Sequence, residues 1–206
     1  KWGILISTIL LLLVKEDAFI YVISIGMYFL SQKRFFLTTK TRKWIVFSEF
    51  VLPVLYFGFS MYLLKTYGEG GLISRYDAFL MSNESGISSV LKNLLLHPTF
   101  AISHLFMAKK LGYLFLTLAP LCFLPLIQRN WSTYFLSLPL IVINLLSDWP
   151  YQHDIGFQYS YGTSALLFIM ALLALEDLKL HKLINEKIVI SFIFVGMIFS
   201  GTILHR

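Results

Sequence analysis

Three consecutive charges, Lys15-Glu16-Asp17, sit between two almost wholly apolar runs, Trp2 to Val14 and Phe19 to Leu30. A charge near a bilayer centre costs roughly 2.5 to 3.5 kcal/mol on insertion scales, so ionisable groups inside apolar segments are candidates for function by default. Other groups able to bind an anion or move a proton are spread along the chain. They are His97 beside Pro98, His104, Lys109 with Lys110, and a short segment holding Asp148, His153, Asp154, Tyr159 and Tyr161. Lysines and backbone amides hold phosphate, and a carboxylate or imidazole moves a proton. Gathered at a membrane surface, such groups would suit a phosphorylated lipid head group. The competing reading is structural: outer loops are simply polar, aromatic residues mark the interface, and the triplet lies at the surface between two helix ends.

Other chemistry finds less support. His153 with Asp154 lacks a third ligand at fixed spacing, so no metal site is assigned and dependence on a divalent metal stays open. Cys122 is the single cysteine and lies inside an apolar run, which excludes an intrachain disulfide and makes it a packing residue. There is no Gly-rich phosphate loop and no nucleophile elbow. Asn83-Glu84-Ser85 and Asn130-Trp131-Ser132 match a glycosylation acceptor pattern that arises often by chance.

The elements that must position these residues are membrane helices. In 206 residues, 57% are hydrophobic, 17% aromatic and only 14% charged, with mean hydropathy +0.74, which is not the balance of a soluble domain. A spanning helix needs roughly 20 apolar residues. Trp2 to Val14 falls short of that, Ala18 to Leu30 can borrow a first turn from the triplet, and Trp44 to Leu64 is full length with Glu49 and Pro53 inside it. Leu111 to Ile127, Trp131 to Leu146, Gly162 to Leu175 and Ile188 to Leu204 follow. The expectation is an all-α polytopic bundle of about seven spans forming one transmembrane domain over 1–206. The chain opens at Lys1-Trp2 without Met and its last apolar run stops at Leu204, so it reads as a piece of a longer protein.

Orientation follows from charge. Lys33, Arg34, Lys40, Arg42 and Lys43 fall in one short stretch without an acidic residue, which places that loop in the cytoplasm. The net charge of +6 is thus explained by cytoplasmic loops, and nucleic acid is not expected as a partner. The segment from Lys65 to Lys110 becomes an outer loop with a turn at Tyr67-Gly68-Glu69-Gly70-Gly71. A helix starts near Asn83-Glu84-Ser85-Gly86, and Ile87 to Leu96 lies on the bilayer surface. After His97-Pro98 a second short helix, Thr99 to Lys110, would carry Lys109 and Lys110 at its C-terminal end. Pro120, Pro125 and Pro139 can kink the next two spans. The triplet, the long loop and the 147–161 loop then all face one side.

Read in order, Val14-Lys15-Glu16-Asp17, His97-Pro98, Tyr113-Leu114 leading to Pro120, Phe123-Leu124-Pro125-Leu126, Leu138-Pro139, Asn144-Leu145-Leu146-Ser147, His153 and Phe157-Gln158-Tyr159 form a set. That set resembles the bacterial and archaeal predicted membrane protein family called domain of unknown function two-zero-seven-nine, which is related to GT-C glycosyltransferases. The resemblance covers most of Leu11 to Leu175. It implies a polytopic enzyme of the prokaryotic cell membrane that takes a sugar from a polyprenyl-phosphate carrier on the outer face. Its partners would be membrane lipid and that lipid-linked donor. The resemblance places the catalytic carboxylate in a first outer loop that would precede this chain, so Lys15, Glu16, Asp17, His97, Lys109, His153 and Tyr159 are expected to bind substrate. Where the family often has a proline just after the position of Tyr159, this chain has Ser160-Tyr161-Gly162-Thr163. A transporter and a non-catalytic assembly subunit are the alternatives from other classes; a transporter would line a path through the membrane with charge, whereas here charges gather on one face.

Overall fold

The structure is a computed structural model that describes residues 2–32, 38–67, 73–81 and 84–203. Lys33 and Arg34 of the basic loop, Gly68-Glu69-Gly70-Gly71 and Asn83 lie outside the described residues. The described residues form helices and turns with no strand. In order they are α1 (Trp2–Leu12), α2 (Ala18–Ser31), α3 (Thr39–Val46), a π turn (Phe47–Val51) and α4 (Leu52–Tyr67). After these come α5 (Ile87–Leu96), α6 (Pro98–Leu105), α7 (Ala108–Leu118), α8 (Leu138–Leu146), α9 (Tyr161–Leu180) and α10 (Glu186–Ile203).

The expected span at Trp44 to Leu64 is part of one unbroken helical run, Thr39–Tyr67, the one helix among the described residues long and apolar enough to cross a membrane. Trp2–Leu12, Ala18–Ser31 and Lys187–Thr202 are shorter apolar helices. Their outer surfaces are apolar too: Leu55 and Phe59 on α4, and Phe194 and Met197 on α10, are each at least 60% exposed. Water-soluble monomers rarely leave faces of this kind open.

Corrections to the expected spans fall on the stretch after α7. Leu111 to Ile127 is not one helix, because α7 ends at Leu118 and the chain continues through short 3-10 turns at Ala119–Leu121 and Leu124–Leu126. Pro120 and Pro125 each remove a backbone donor, and Cys122 and Phe123 between them take left-handed backbone angles. Local bonds close the turns instead: the Phe123 N–H donates to the Leu118 carbonyl (3.1 Å) and the Ile127 N–H to that of Leu124 (2.9 Å). Cys122 Sγ donates to the Phe192 carbonyl at 3.3 Å, so the lone cysteine packs as expected. Trp131 to Leu146 likewise divides into a 3-10 segment, Trp131–Leu136, and α8.

α2 is the central element and packs on α1, α3, the π turn, α4, α8 and the Trp131–Leu136 segment. Its Ile20, Tyr21, Ile25 and Tyr28 lie against a core of Leu118, Leu136, Leu140, Leu166, Leu167 and Met170. Its contact with the π turn is close because residue 26 is glycine: a Cβ there would stand 2.5 Å from Glu49 Cβ. Glu49 itself is 5% exposed, and its Oε1 accepts from Thr8 Oγ1 (2.7 Å) and Ser48 Oγ (3.2 Å). Glu49 is thus held inside the bundle, with hydroxyls as its partners.

In the long loop α5 occupies Ile87–Leu96 as expected, entered through Gly86 at φ 89°, a left-handed angle that glycine adopts at little cost. Asn93 ties α5 to what precedes it, donating to the Phe79 carbonyl (2.7 Å) and to Glu84 Oε2 (2.5 Å). These bonds, led by the one from Asn93 and joined by the Met81 N–H and by Lys92, hold the Glu84 carboxyl below its ordinary value of 4.5. A lowered carboxyl contributes stability that is present above the ordinary value and is lost as pH falls through the folded one. Amide exchange across 84–96 is therefore expected to speed up below about pH 4.5 in the native protein and to lose that dependence in Glu84→Gln. Identical pH profiles in the two would remove the Glu84 contribution.

Candidate functional site

Leu13 and Val14 close the last turn of α1, and Asp17 stands at the N-cap of α2. The triplet is thus a helix start, as its acidic residues next to an apolar run imply. The Asp17 carboxylate does not cap the helix. It accepts from Lys15 Nζ at 3.0 Å. Glu16 lies 3.8 Å from Arg75, which the 3-10 segment Ile73–Phe79 brings over from the long loop. Lys15 Nζ sits 4.0 Å above the ring of Tyr159, and the Arg75 guanidinium carbon 5.2 Å from the same ring. One aromatic face therefore orders both cations.

The three polar segments expected on one side do meet. The Asp148 N–H donates to the Arg75 carbonyl (2.7 Å), Ser147 Oγ donates to that carbonyl (3.2 Å), and the Ala78 N–H donates to Asp148 Oδ2 (2.9 Å). Behind them opens a cavity of about 500 Å³. Its polar end is made by Asp17, Arg75, Tyr76, Asn144, Gln152 and Tyr159, and its long walls by apolar residues such as Phe19, Ile23, Phe57, Leu91, Leu94 and Ile143. Phe19 and Phe57 stack at 4.1 Å to form one wall. Asn144 organises the polar end: its Nδ2 donates toward Tyr113 Oη (3.3 Å) and Thr163 Oγ1 (3.4 Å), and its Oδ1 accepts from Gln152 Nε2 (3.3 Å). Gln152 Nε2 also reaches Tyr76 Oη at 3.4 Å. Burial pushes the Tyr76 phenol up, against the smaller effects of the Gln152 hydrogen bond and the Arg75 charge, so it stays protonated.

A second group of ionisable residues stands beside this cavity. His104 is 4% exposed, edge-on to Phe79, with Nε2 2.9 Å from Asp148 Oδ1. Lys110 is 3% exposed. His153 feels both Lys109 and Lys110, and burial followed by those charges lowers the basicity of its imidazole. Burial, then Lys110, lowers His104 as well, against the pull of Asp148. Here the expected helix from Thr99 to Lys110 is corrected. α6 ends at Leu105, and α7 starts at Ala108 with Lys109 and Lys110 in its first turn, the end of the dipole that repels them.

Of the expected substrate-binding residues, Asp17 and Tyr159 line the polar end of the cavity, its mouth; Lys15 and Glu16 adjoin it through Asp17, Tyr159 and Arg75; and His153 and Lys109 belong to the adjacent group. His97 does not join them; it is exposed at the junction of α5 and α6. Arg75, Tyr76, Asn144 and Gln152 were not predicted as site residues. Arg75 is the one arginine between Arg42 and Arg129, a signal that was there to read. Among the described residues no three of His, Cys, Asp and Glu form a group able to hold a metal ion. A larger hollow of about 850 Å³ lies at the opposite end of α2, around Gln32, Arg129 and Asp177. Its polar groups already answer one another: Gln32 donates to Ser132 (2.9 Å), Asn130 donates to Gln32 (3.0 Å), and Arg129 lies 3.8 Å from Asp177.

Residues 1–205 match a family described as predicted membrane protein (DUF2079). No curated protein and no solved structure matches the chain.

Proposed function

The chain belongs to the DUF2079 family of predicted membrane proteins, and from that premise we propose that it works as a GT-C-type glycosyltransferase on the outer face of a prokaryotic cell membrane. Its donor is a sugar carried on polyprenyl phosphate. The observation that carries this reading is the cavity, whose apolar walls fit an isoprenoid chain and whose charged mouth fits the phosphate and sugar. At about 500 Å³ it lies within the range of roughly 300 to 1,000 Å³ usual for small-molecule sites. The loop charges, which read the 15–17, 65–110 and 147–161 segments as outer, support a mouth at the outer surface.

Each cation at the mouth already holds a carboxylate. An entering phosphate therefore shares Lys15 with Asp17 and Arg75 with Glu16, and the carboxylates turn to the sugar hydroxyls. In the reaction the bond from the anomeric carbon to the carrier oxygen breaks and a bond to an acceptor hydroxyl forms. The acceptor's proton passes to a base, and polyprenyl phosphate leaves. The residues named here bind and orient the donor. The test is sugar transfer from a polyprenyl-phosphate donor by the full protein in lipid, comparing wild type with Lys15→Ala and His153→Ala. Both variants are expected to lose at least about tenfold in rate, the effect of one charge-assisted hydrogen bond. Wild-type rates in both would sink the site assignment.

A transporter is the second reading, favoured by Glu49. A buried carboxyl in a spanning helix, seated on a π turn, is a common mark of a translocation path. Proteoliposomes separate the two, since a transporter moves its substrate with the glycosidic bond intact.

A further inference from the structure

Three of the buried polar atoms that lack a hydrogen bond among the described residues gather in one corner, where α7 packs on the Pro150–His153 turn: Lys110 Nζ, His153 Nδ1 and Gln152 Oε1. Lys110 is the sharpest case. Its side chain is 97% buried by its 3% exposure, yet its ammonium donates to nothing described. The nearby anion, Asp148, is committed elsewhere, with Oδ2 on the Ala78 N–H and Oδ1 facing His104. Lys110 also sits in the first turn of an eleven-residue helix that has no acidic residue there. A buried unpaired cation is unfavourable, and a helix N-terminus repels it further. An anion at this place would answer both.

We propose that the Lys110 corner is a phosphate subsite, formed by Lys110 Nζ, His153 Nδ1, Lys109 and the N-terminal end of α7. Donors converging from a helix start, a lysine and an imidazole match a tetrahedral oxyanion with several acceptor oxygens better than a planar carboxylate. Asp148 and Asp154, the acidic groups that act on His153, limit the site to a ligand that brings strong negative charge. Gln152 belongs both to this corner and to the cavity wall, so the subsite adjoins the mouth held by Lys15 and Arg75. It can hold the phosphate of a lipid head group or free phosphate released near it. The lipid source rests on the glycosyltransferase reading, whereas the free-ion source does not.

The experiment measures thermal stabilisation of the full protein in nanodiscs by inorganic phosphate, by inorganic diphosphate and by polyprenyl phosphate. The variants are Lys110→Met, His153→Asn and Arg75→Met. Wild type is expected to be stabilised, and Lys110→Met to weaken the apparent affinity at least tenfold while melting at or above the wild-type temperature in phosphate-free buffer, because it removes an unpaired buried charge. His153→Asn reports independently if Lys110→Met does not fold. Stabilisation by the inorganic ions, kept in Arg75→Met, identifies free phosphate as the ligand; stabilisation by polyprenyl phosphate alone identifies the head group. Equal stabilisation of wild type and both corner variants, or none of wild type by any probe, overturns the proposal. Lys110-dependent phosphate binding without sugar transfer would remove the enzyme reading and leave the subsite standing.

Discussion

Arg75→Met is expected to cut sugar transfer from a polyprenyl-phosphate donor by about 100-fold and to weaken binding of the carrier by a similar factor, with the fold intact. The size follows from what the guanidinium offers. A hydrogen bond to a charged group contributes about 1.5 to 3 kcal/mol, and about 1.4 kcal/mol is a factor of ten in rate. The Arg75 side chain is 13% exposed beside Glu16 and lies against the Tyr159 ring, so a phosphate bound there meets a positioned fork and little water. Methionine keeps the stem and removes only the charge. The structural duties of position 75 belong to its backbone, since the carbonyl accepts from the Asp148 N–H and Ser147 Oγ, and these survive the change. Arg75→Lys should recover part of the binding, because lysine restores the charge without the bidentate geometry. Carrier affinity within twofold of wild type in Arg75→Met would remove Arg75 from the mouth.

The second large effect is structural. Gly26→Val should destabilise the bundle by about 3 to 5 kcal/mol, read by denaturant or thermal unfolding in detergent. Even the first added carbon would stand 2.5 Å from Glu49 Cβ and 2.9 Å from Phe50 Cε2. Glu49 Cβ is fixed to a helix backbone and cannot swing away, so α2 and the π turn must separate. Separation also disturbs the bond that Thr8 of α1 makes to the buried Glu49 carboxyl. Overpacking alone costs roughly 1 to 3 kcal/mol, and a disturbed hydrogen bond to a buried carboxyl adds to it. Small residues where membrane helices cross closely serve this purpose generally. A change under about 0.5 kcal/mol, the range of an ordinary surface substitution, would mean that the two elements are not packed as described.

Much of this arrangement is legible in residue order because it rests on local chemistry. Acidic residues before an apolar run mark the start of α2, and Gly86 before an amphipathic stretch marks the start of α5. The convergence of three polar segments follows from loop charge alone, and the contacts of Arg75 with Glu16 and of Lys15 with Tyr159 realise it. What escapes a linear reading is set by tertiary contact. Phe106 and Met107 contain no helix breaker, yet α6 stops there and α7 begins, which reverses the end of the helix on which Lys109 and Lys110 sit. Proline in the 119–126 stretch was readable as a kink. That Cys122 and Phe123 would turn left-handed depends on α9 and α10 packing against that stretch. Asn144 and Gln152 look like isolated polar residues until the fold places Tyr76, Tyr113 and Thr163 around them.

The π turn at Phe47–Val51 also has a meaning as rotational phase. Each residue of an α-helix advances the chain by about 100° around its axis, and a π turn houses one residue more than the regular ladder would. α4 is therefore rotated relative to α3 by one residue's worth of arc, and that rotation aims Phe57 at its stacking partner Phe19 in the cavity wall. A single-codon deletion inside Phe47–Val51 would let the helix run straight and swing the wall away from the cavity, although no residue lining it had changed. The shape of the cavity is thus encoded by the length of a turn about two helical turns before Phe57.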